Sequence, residues 1–225
     1  MKLYLLEKRP LVGDIVSFTF KPENEITWQP GQYMHYVINH KNPDNRGIER
    51  WFTISSAPFE KNIVITTRIF VEKKSSFKTA LYNLNVGEKI EADGPKGKFT
   101  LNNPKVNNIF LAGGIGITPF RSMFAQANHN DQKINGYLLY LNRDDNFVFR
   151  KEFEQVLSNI GVRSNYSKTI DDSFFSSEKT SPETNYYLSG PEPMVEHYNN
   201  LLVGMGLPDE QIFTDFFPGY LWESK

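Results

Sequence analysis

Several short stretches of this chain carry residue types able to do chemistry. The first is Ala112-Gly113-Gly114-Ile115-Gly116-Ile117-Thr118-Pro119. Glycine takes positive φ and lets a backbone approach a ligand closely. Thr118 suits a helix N-cap, and Pro119 suits the first helical position. A helix start with free N–H groups behind a glycine loop is a place for pyrophosphate. The pattern is G-x-G-x-x-P, so the third glycine of the common dinucleotide fingerprint is missing. A tight strand–helix connection with no ligand would use the same residues.

Two more stretches lie downstream. Asn142-Arg143-Asp144-Asp145 follows about one β-unit later, where an adenosine ribose would sit. Arg143 would accommodate a 2′-phosphate, and the acids would accept from a 2′-hydroxyl. The residues leave NADH and NADPH both open, and a plain polar turn as well. Ser189-Gly190-Pro191-Glu192-Pro193-Met194 ends a strand with Gly-Pro, which would open a ligand crevice.

In the first half, Arg50-Trp51-Phe52-Thr53-Ile54-Ser55-Ser56 joins a cation, aromatics and hydroxyls. An arginine pairs with phosphate, an aromatic lies on a ring, and a hydroxyl bonds a ring nitrogen. Alternation puts Arg50, Phe52 and Ile54 on one strand face and Trp51, Thr53 and Ser55 on the other. An ordinary strand with an exposed arginine also accounts for the segment. Lys73-Lys74-Ser75-Ser76 precedes a helical window from Phe77 to Leu84, giving a second anion-friendly helix start or a capped helix with solvated lysines.

The elements that must position these residues differ between the halves. Up to about Leu101, β-branched and aromatic runs such as 15–20, 33–38 and 63–70 alternate between turn residues. They predict an antiparallel barrel or sandwich. Beyond Asn102-Asn103-Pro104, apolar strands at 109–112, 137–141 and 186–189 alternate with helices from Pro119, over 150–157 and over 193–202. That rhythm predicts a parallel sheet of βαβ units. The reading is therefore two domains, 1–102 and 103–225. The Ser/Thr-rich stretch 172–183 is expected to be a surface loop.

Composition narrows the function classes. Lys+Arg 25 against Asp+Glu 26 gives a net charge of −1, so no nucleic-acid partner is expected. Cys 0 excludes disulfides, zinc–thiolate sites and cysteine-ligated clusters in these 225 residues. His35, His129 and His197 show no metal-ligand spacing, so no metal is expected. No apolar run approaches the length of a membrane span. The opening 1–6 run is too short for a secretory segment, and a cytoplasmic setting is expected.

Six segments in order resemble the motifs of the ferredoxin–NADP reductase superfamily. Residues 50–56 resemble its flavin motif R-x-Y-[ST]-x-x-S. Trp28-Gln29-Pro30-Gly31-Gln32-Tyr33 resembles its P-G-Q-[YF] strand entry, and Gly94-Pro95-Lys96-Gly97-Lys98-Phe99 its G-P-x-G-x-F element. Residues 114–119 match its G-x-G-x-x-P loop, and 189–194 resemble C-G-P-x-x-M. Asp215-Phe216-Phe217-Pro218-Gly219-Tyr220 resembles the C-terminal E-x-F-x-G-Y. The resemblance covers nearly the whole chain.

It implies an antiparallel β-barrel holding FAD, followed by an α/β domain holding NAD(P)H, with no iron–sulfur domain. Arg50 would pair with flavin phosphate, Phe52 contact the flavin, and Thr53 bond flavin N5. Trp51 and Arg68 join the flavin candidates, and Ser75, Ser76 and Phe77 would hold pyrophosphate. Gly113, Gly114, Gly116, Thr118, Pro119, Arg143, Gly190, Pro191 and Met194 would hold NAD(P)H. Phe217 and Tyr220 would reach the flavin. Thr53 and Ser189 are the catalytic candidates, with hydride passing from nicotinamide C4 to flavin N5. Phe52 stands where the family has tyrosine, Ser189 where it often has cysteine, and Asp215 where it has glutamate.

The electrons would leave to an external acceptor: a ferredoxin, a flavodoxin or a small molecule. Alternatives are an NAD(P)H:flavin or ferric reductase, and a non-catalytic nucleotide-binding regulatory subunit. The chain would also suit a subunit of a larger complex.

Overall fold

Alternating burial builds the first half. In the computed structural model, which describes residues 1–69, 75–177 and 183–217, strand β1 (Lys2–Pro10) buries Leu3 and Leu5. Strand β2 (Ile15–Pro22) buries Phe18 and Phe20. With β3 (Tyr33–Val37), β4 (Glu49–Thr53), β5 (Ile63–Arg68) and β6 (Lys89–Lys96) they form one antiparallel sheet, in the order β4-β3-β6-β1-β2-β5. The sheet curls until its edges meet: the Ser55 amide, just beyond β4, donates to Val64 O on β5 at 2.9 Å. Helix α1 (Ser76–Asn83) inserts Phe77 and Leu81 into the barrel core. It starts one residue before the predicted window because Ser75 caps it, accepting from the Lys78 amide.

The second half is a parallel sheet of β7 (Asn107–Gly113), β8 (Gly136–Leu141), β9 (Val162–Ser167), β10 (Thr184–Pro191) and β11 (Ile212–Phe217). Its order is β11-β10-β7-β8-β9. Phe110, Leu138, Tyr140 and Tyr187 pack on one face with α2 (Thr118–His129) and α3 (Arg150–Ile160). Ile109, Leu111, Leu139 and Leu188 pack on the other with α5 (Glu192–Gly204). Burial on both faces explains the unbroken apolar runs of these strands. After β9 the chain crosses to the far side of β7, so the strand order switches between β7 and β10. Open α/β sheets bind ligands at that point.

Three details differ from expectation. Thr118 is not an N-cap; it is the first residue of α2, and its hydroxyl donates to Ile115 O at 3.1 Å. A 3₁₀ turn over Gly114–Ile117 leads directly into α2 and puts Pro119 second. Helices α3 and α5 run on to Ile160 and Gly204, beyond the predicted ends. The expected loop from 172 contains helix α4 (Ser173–Ser177), because Phe175 is buried against Tyr186 and Tyr198. Residues 178–182 of that stretch lie outside the described residues.

The two sheets share a packed seam. Ile15 and Phe99 from the barrel side lie in the core beneath α2. The Ser56 carbonyl accepts from Trp28 Nε1 at 3.1 Å and from Ser122 Oγ on α2 at 2.6 Å. Among the described residues, no helix is long and apolar enough to cross a membrane.

Candidate functional site

The loops after β7 and β10 meet at the switch point, and the glycines make this possible. A Cβ on Gly116 would lie 2.2 Å from Ser189 O. One on Gly113 would lie 2.5 Å from Met194 Sδ and 2.9 Å from Pro191 Cδ, and one on Gly190 2.7 Å from Met194 Cε. These three glycines therefore let protein pack on protein. Of the three in the loop after β7, only Gly114 has positive φ, at +54°, and faces open space apart from Asn142 Oδ1. Of the three, Gly114 is the one whose conformation favours glycine and whose surroundings are open. Pro119 and Met194 are buried behind the loop.

Three side chains from three strands converge beside this crevice. Ser189 on β10 is in register with Asp215 on β11, and Thr53 ends β4 of the barrel. Thr53 and Ser189 are buried. Burial pushes the Asp215 carboxyl up to about 7, and the Ser189 and Thr53 hydroxyls pull against that rise. Ser189 Oγ and Asp215 Oδ2 are sealed from solvent, yet among the described residues neither makes a hydrogen bond of good geometry. Buried polar atoms without partners mark a place where a ligand's polar edge fits. Sequence reasoning noted Asp215 only as a departure from a motif and missed its place between the two hydroxyls.

Arg50, Phe52, Ser75, Ser76 and Phe77 come together at the N-terminus of α1. Phe52 packs between Phe77 and Tyr36, with ring centroids 5.8 and 6.0 Å away. The Arg50 guanidinium lies over Phe77 at 5.5 Å and donates to Ser75 Oγ at 3.3 Å. It also donates to both carboxylate oxygens of Asp44, at 2.9 and 3.1 Å. Trp51 points away from this group, 53% exposed, against Tyr33, His35 and Lys96. Lys73 and Lys74 lie outside the described residues.

Arg68 reaches across the seam, donating to Asp14 Oδ1 at 2.7 Å and to Asn142 Oδ1 at 3.3 Å. Asn142 in turn donates to Asp144 Oδ1, and Lys168 pairs with Asp145. Arg143 is exposed on the same turn, and Phe217 is half-buried at the end of β11. Pro218, Gly219 and Tyr220 lie outside the described residues. A clamp that sequence reasoning missed holds α2 to the barrel: Arg121 pairs with Glu60 and, at 2.9 Å, with Glu152, and donates to Ser55 O at 3.2 Å.

Comparison with known proteins agrees with this layout. Residues 110–200 match the family model of the oxidoreductase NAD-binding domain. The chain is 25% identical over 246 residues to a flavohemoprotein of Bacillus thuringiensis subsp. konkukian, covering 95% of this chain and 60% of that protein. It is similar in fold to the flavohem-like FAD/NAD binding domain of nitric oxide dioxygenase from Vibrio cholerae, with TM-score 0.82, 17% identity and coverage of 96% and 98%. It is also similar to ferredoxin–NADP+ reductase from Plasmodium falciparum, with TM-score 0.78, 16% identity and coverage of 96% and 95%. The chain thus spans only about three-fifths of the curated relative it matches.

Proposed function

Taking as premise a chain with the two-domain fold of the ferredoxin–NADP reductase superfamily, we propose that it is an FAD-dependent NAD(P)H oxidoreductase. The observation that carries this reading is the meeting of Thr53, Ser189 and Asp215 between a barrel and a dinucleotide-type sheet. FAD and NAD(P)H would supply the hydride and one-electron chemistry there. The protein's own part is to orient, exclude water and hold a proton.

Thr53 presents its hydroxyl to the flavin edge, and Ser189 presents its own from the nicotinamide side. Burial pushes the Asp215 carboxyl up to about 7, which poises it to take up or give a proton near neutral pH. Arg50, Phe52, Ser75, Ser76 and Phe77 serve the flavin; Trp51 and Arg68 are its outer contacts, and Phe217 borders it. The Gly114 turn, backed by Gly113, Gly116, Thr118, Pro119, Gly190, Pro191 and Met194, serves the dinucleotide at the start of α2. Arg143 serves its ribose end. We place the domain boundary at 102/103 and the protein in the cytoplasm, a setting that Cys 0 supports.

Electrons leave to an external acceptor. The relative named flavohemoprotein is longer than the region matched, which supports an acceptor carried by another domain or subunit. A ferredoxin, a flavodoxin or a small molecule would serve equally. The test is an anaerobic titration of FAD-supplemented protein with NADH and then NADPH, following flavin absorbance. Prompt bleaching by either nucleotide is expected. A bound flavin that neither nucleotide reduces would refute turnover and leave a regulatory nucleotide-binding role.

A further inference from the structure

The guanidinium best placed for a flavin phosphate is already committed to the chain itself. Arg50 Nη1 donates to the carbonyls of Arg46, Gly47 and Glu49 at 2.7, 3.3 and 2.6 Å. Nη2 donates to Asp44 and Ser75, and Nε is buried with no partner among the described residues. Both terminal nitrogens of Arg50 are thus committed to the chain. Asp44 takes the other half of the anion site as well. Its Oδ2 accepts from the Ser76 amide at the start of α1, at 2.9 Å, and its own amide donates to Ser76 Oγ at 2.8 Å. The Arg46 amide donates to Oδ1 at 2.9 Å. A carboxylate that accepts from a guanidinium nitrogen and a helix-start amide makes bonds a phosphate would make.

We propose that Asp44 is an internal anion that competes with flavin phosphate for Arg50 and the Ser76 amide. It thereby sets how strongly the barrel prefers phosphorylated flavins to riboflavin. The proposal rests on the flavin reading above and adds a determinant of which flavin is taken. A phosphate that takes these donors must displace Asp44, because two anions cannot share one guanidinium nitrogen and one amide without strong repulsion. Riboflavin, whose ribityl chain is uncharged, need not. Burial alone would raise the Asp44 pKa, but the Ser76 and Arg46 amides and Arg50 outweigh it and hold the carboxyl well below the usual range. Acidification within a working pH range therefore does not relieve the competition.

The test compares riboflavin, FMN and FAD by quenching of flavin fluorescence, in wild type and in Asp44→Asn. The asparagine oxygen can still accept from the Arg46 amide, which closes the turn, while the charge and the bond from the Ser76 amide are given up. Wild type should bind FMN and riboflavin within about tenfold of each other, since a free arginine fork would add two charge-assisted bonds. Asp44→Asn should tighten FMN and FAD on the order of tenfold and leave riboflavin within about twofold. A larger wild-type preference for FMN would overturn the proposal, and this holds even if the variant fails to fold. Weaker FMN binding in the variant would also overturn it, making Asp44 an organiser of Arg50. So would unchanged binding. Failure of wild type to bind any of the three flavins would instead overturn the flavin reading, and the proposal with it.

Discussion

Replacing Asp215 with asparagine should change how stability depends on pH. Burial pushes the folded carboxyl up to about 7, from the 3.8 ordinary for an aspartate. Between those values the native state holds a proton that the unfolded chain has released. Stability from this group is therefore fully present below about pH 4 and lost as pH rises to 7. At about 1.4 kcal/mol per pH unit, the whole gap comes to about 4 kcal/mol. Asp215 is half-buried even though Oδ2 is sealed. Solvent screening of the exposed part brings our expectation to about 2 kcal/mol. In a chain of this size that is about 4–8 °C in Tm. The assay is a pair of melting series across pH 4–8, wild type against Asp215→Asn. The variant should gain on wild type steadily from pH 4 to 7 and hold a constant lead above. Parallel curves over the whole range would mean that Asp215 ionises as an ordinary carboxylate, and the buried three-strand arrangement would be refuted.

Further outcomes are expected. Arg121→Met leaves Glu60 and Glu152 facing each other across the seam, so the urea midpoint should fall by the equivalent of about 2–3 kcal/mol. Adding Glu60→Gln and Glu152→Gln should restore most of it. Gly116→Ala drives a methyl group into Ser189 O and should destabilise by more than about 3 kcal/mol. Gly114→Ala meets only a left-handed φ in open space and should destabilise by about 1 kcal/mol in a thermal melt. Arg50→Ala and Thr53→Ala should weaken flavin retention and slow NAD(P)H-driven bleaching respectively; wild-type behaviour in both would show these site assignments to be wrong.

Much of the architecture was legible because it rests on local signals. The apolar run at 109–112 needs burial on both faces, and Ser75 and Pro119 announce helix starts that appear within a residue or two. The glycine loop and the Ser189 turn were found as separate motifs. That they pack on each other, through Gly116 against Ser189 O, is a fact of sheet order that no local pattern holds. Phe175 was hidden by its polar neighbours, since one buried ring outweighs a Ser/Thr-rich surrounding. Asp44 escaped notice because it lies in a polar turn. An acid six residues before the motif arginine, ahead of Gly47, was the one available signal. Arg121 and Glu60 are 61 residues apart and carry no shared pattern at all.

The departures at the site make the seam itself part of the machinery. An aspartate has one fewer rotatable bond than the glutamate it replaces, so Asp215 cannot swing far to find a partner. Its distance from Thr53 is then set by backbone, that is, by how the end of β4 sits against β11. The contacts that fix this are close to Thr53: Arg121 on Ser55 O and Ser122 on Ser56 O, two and three residues along the chain. Both donors sit in the first turns of α2, the helix whose start follows the Gly114 turn. One helix therefore anchors the segment after Thr53 and opens beside the glycine loop. On the proposed function, alignment of the two cofactor rings would depend on that shared anchor, because the shorter carboxylate has little freedom to correct an error.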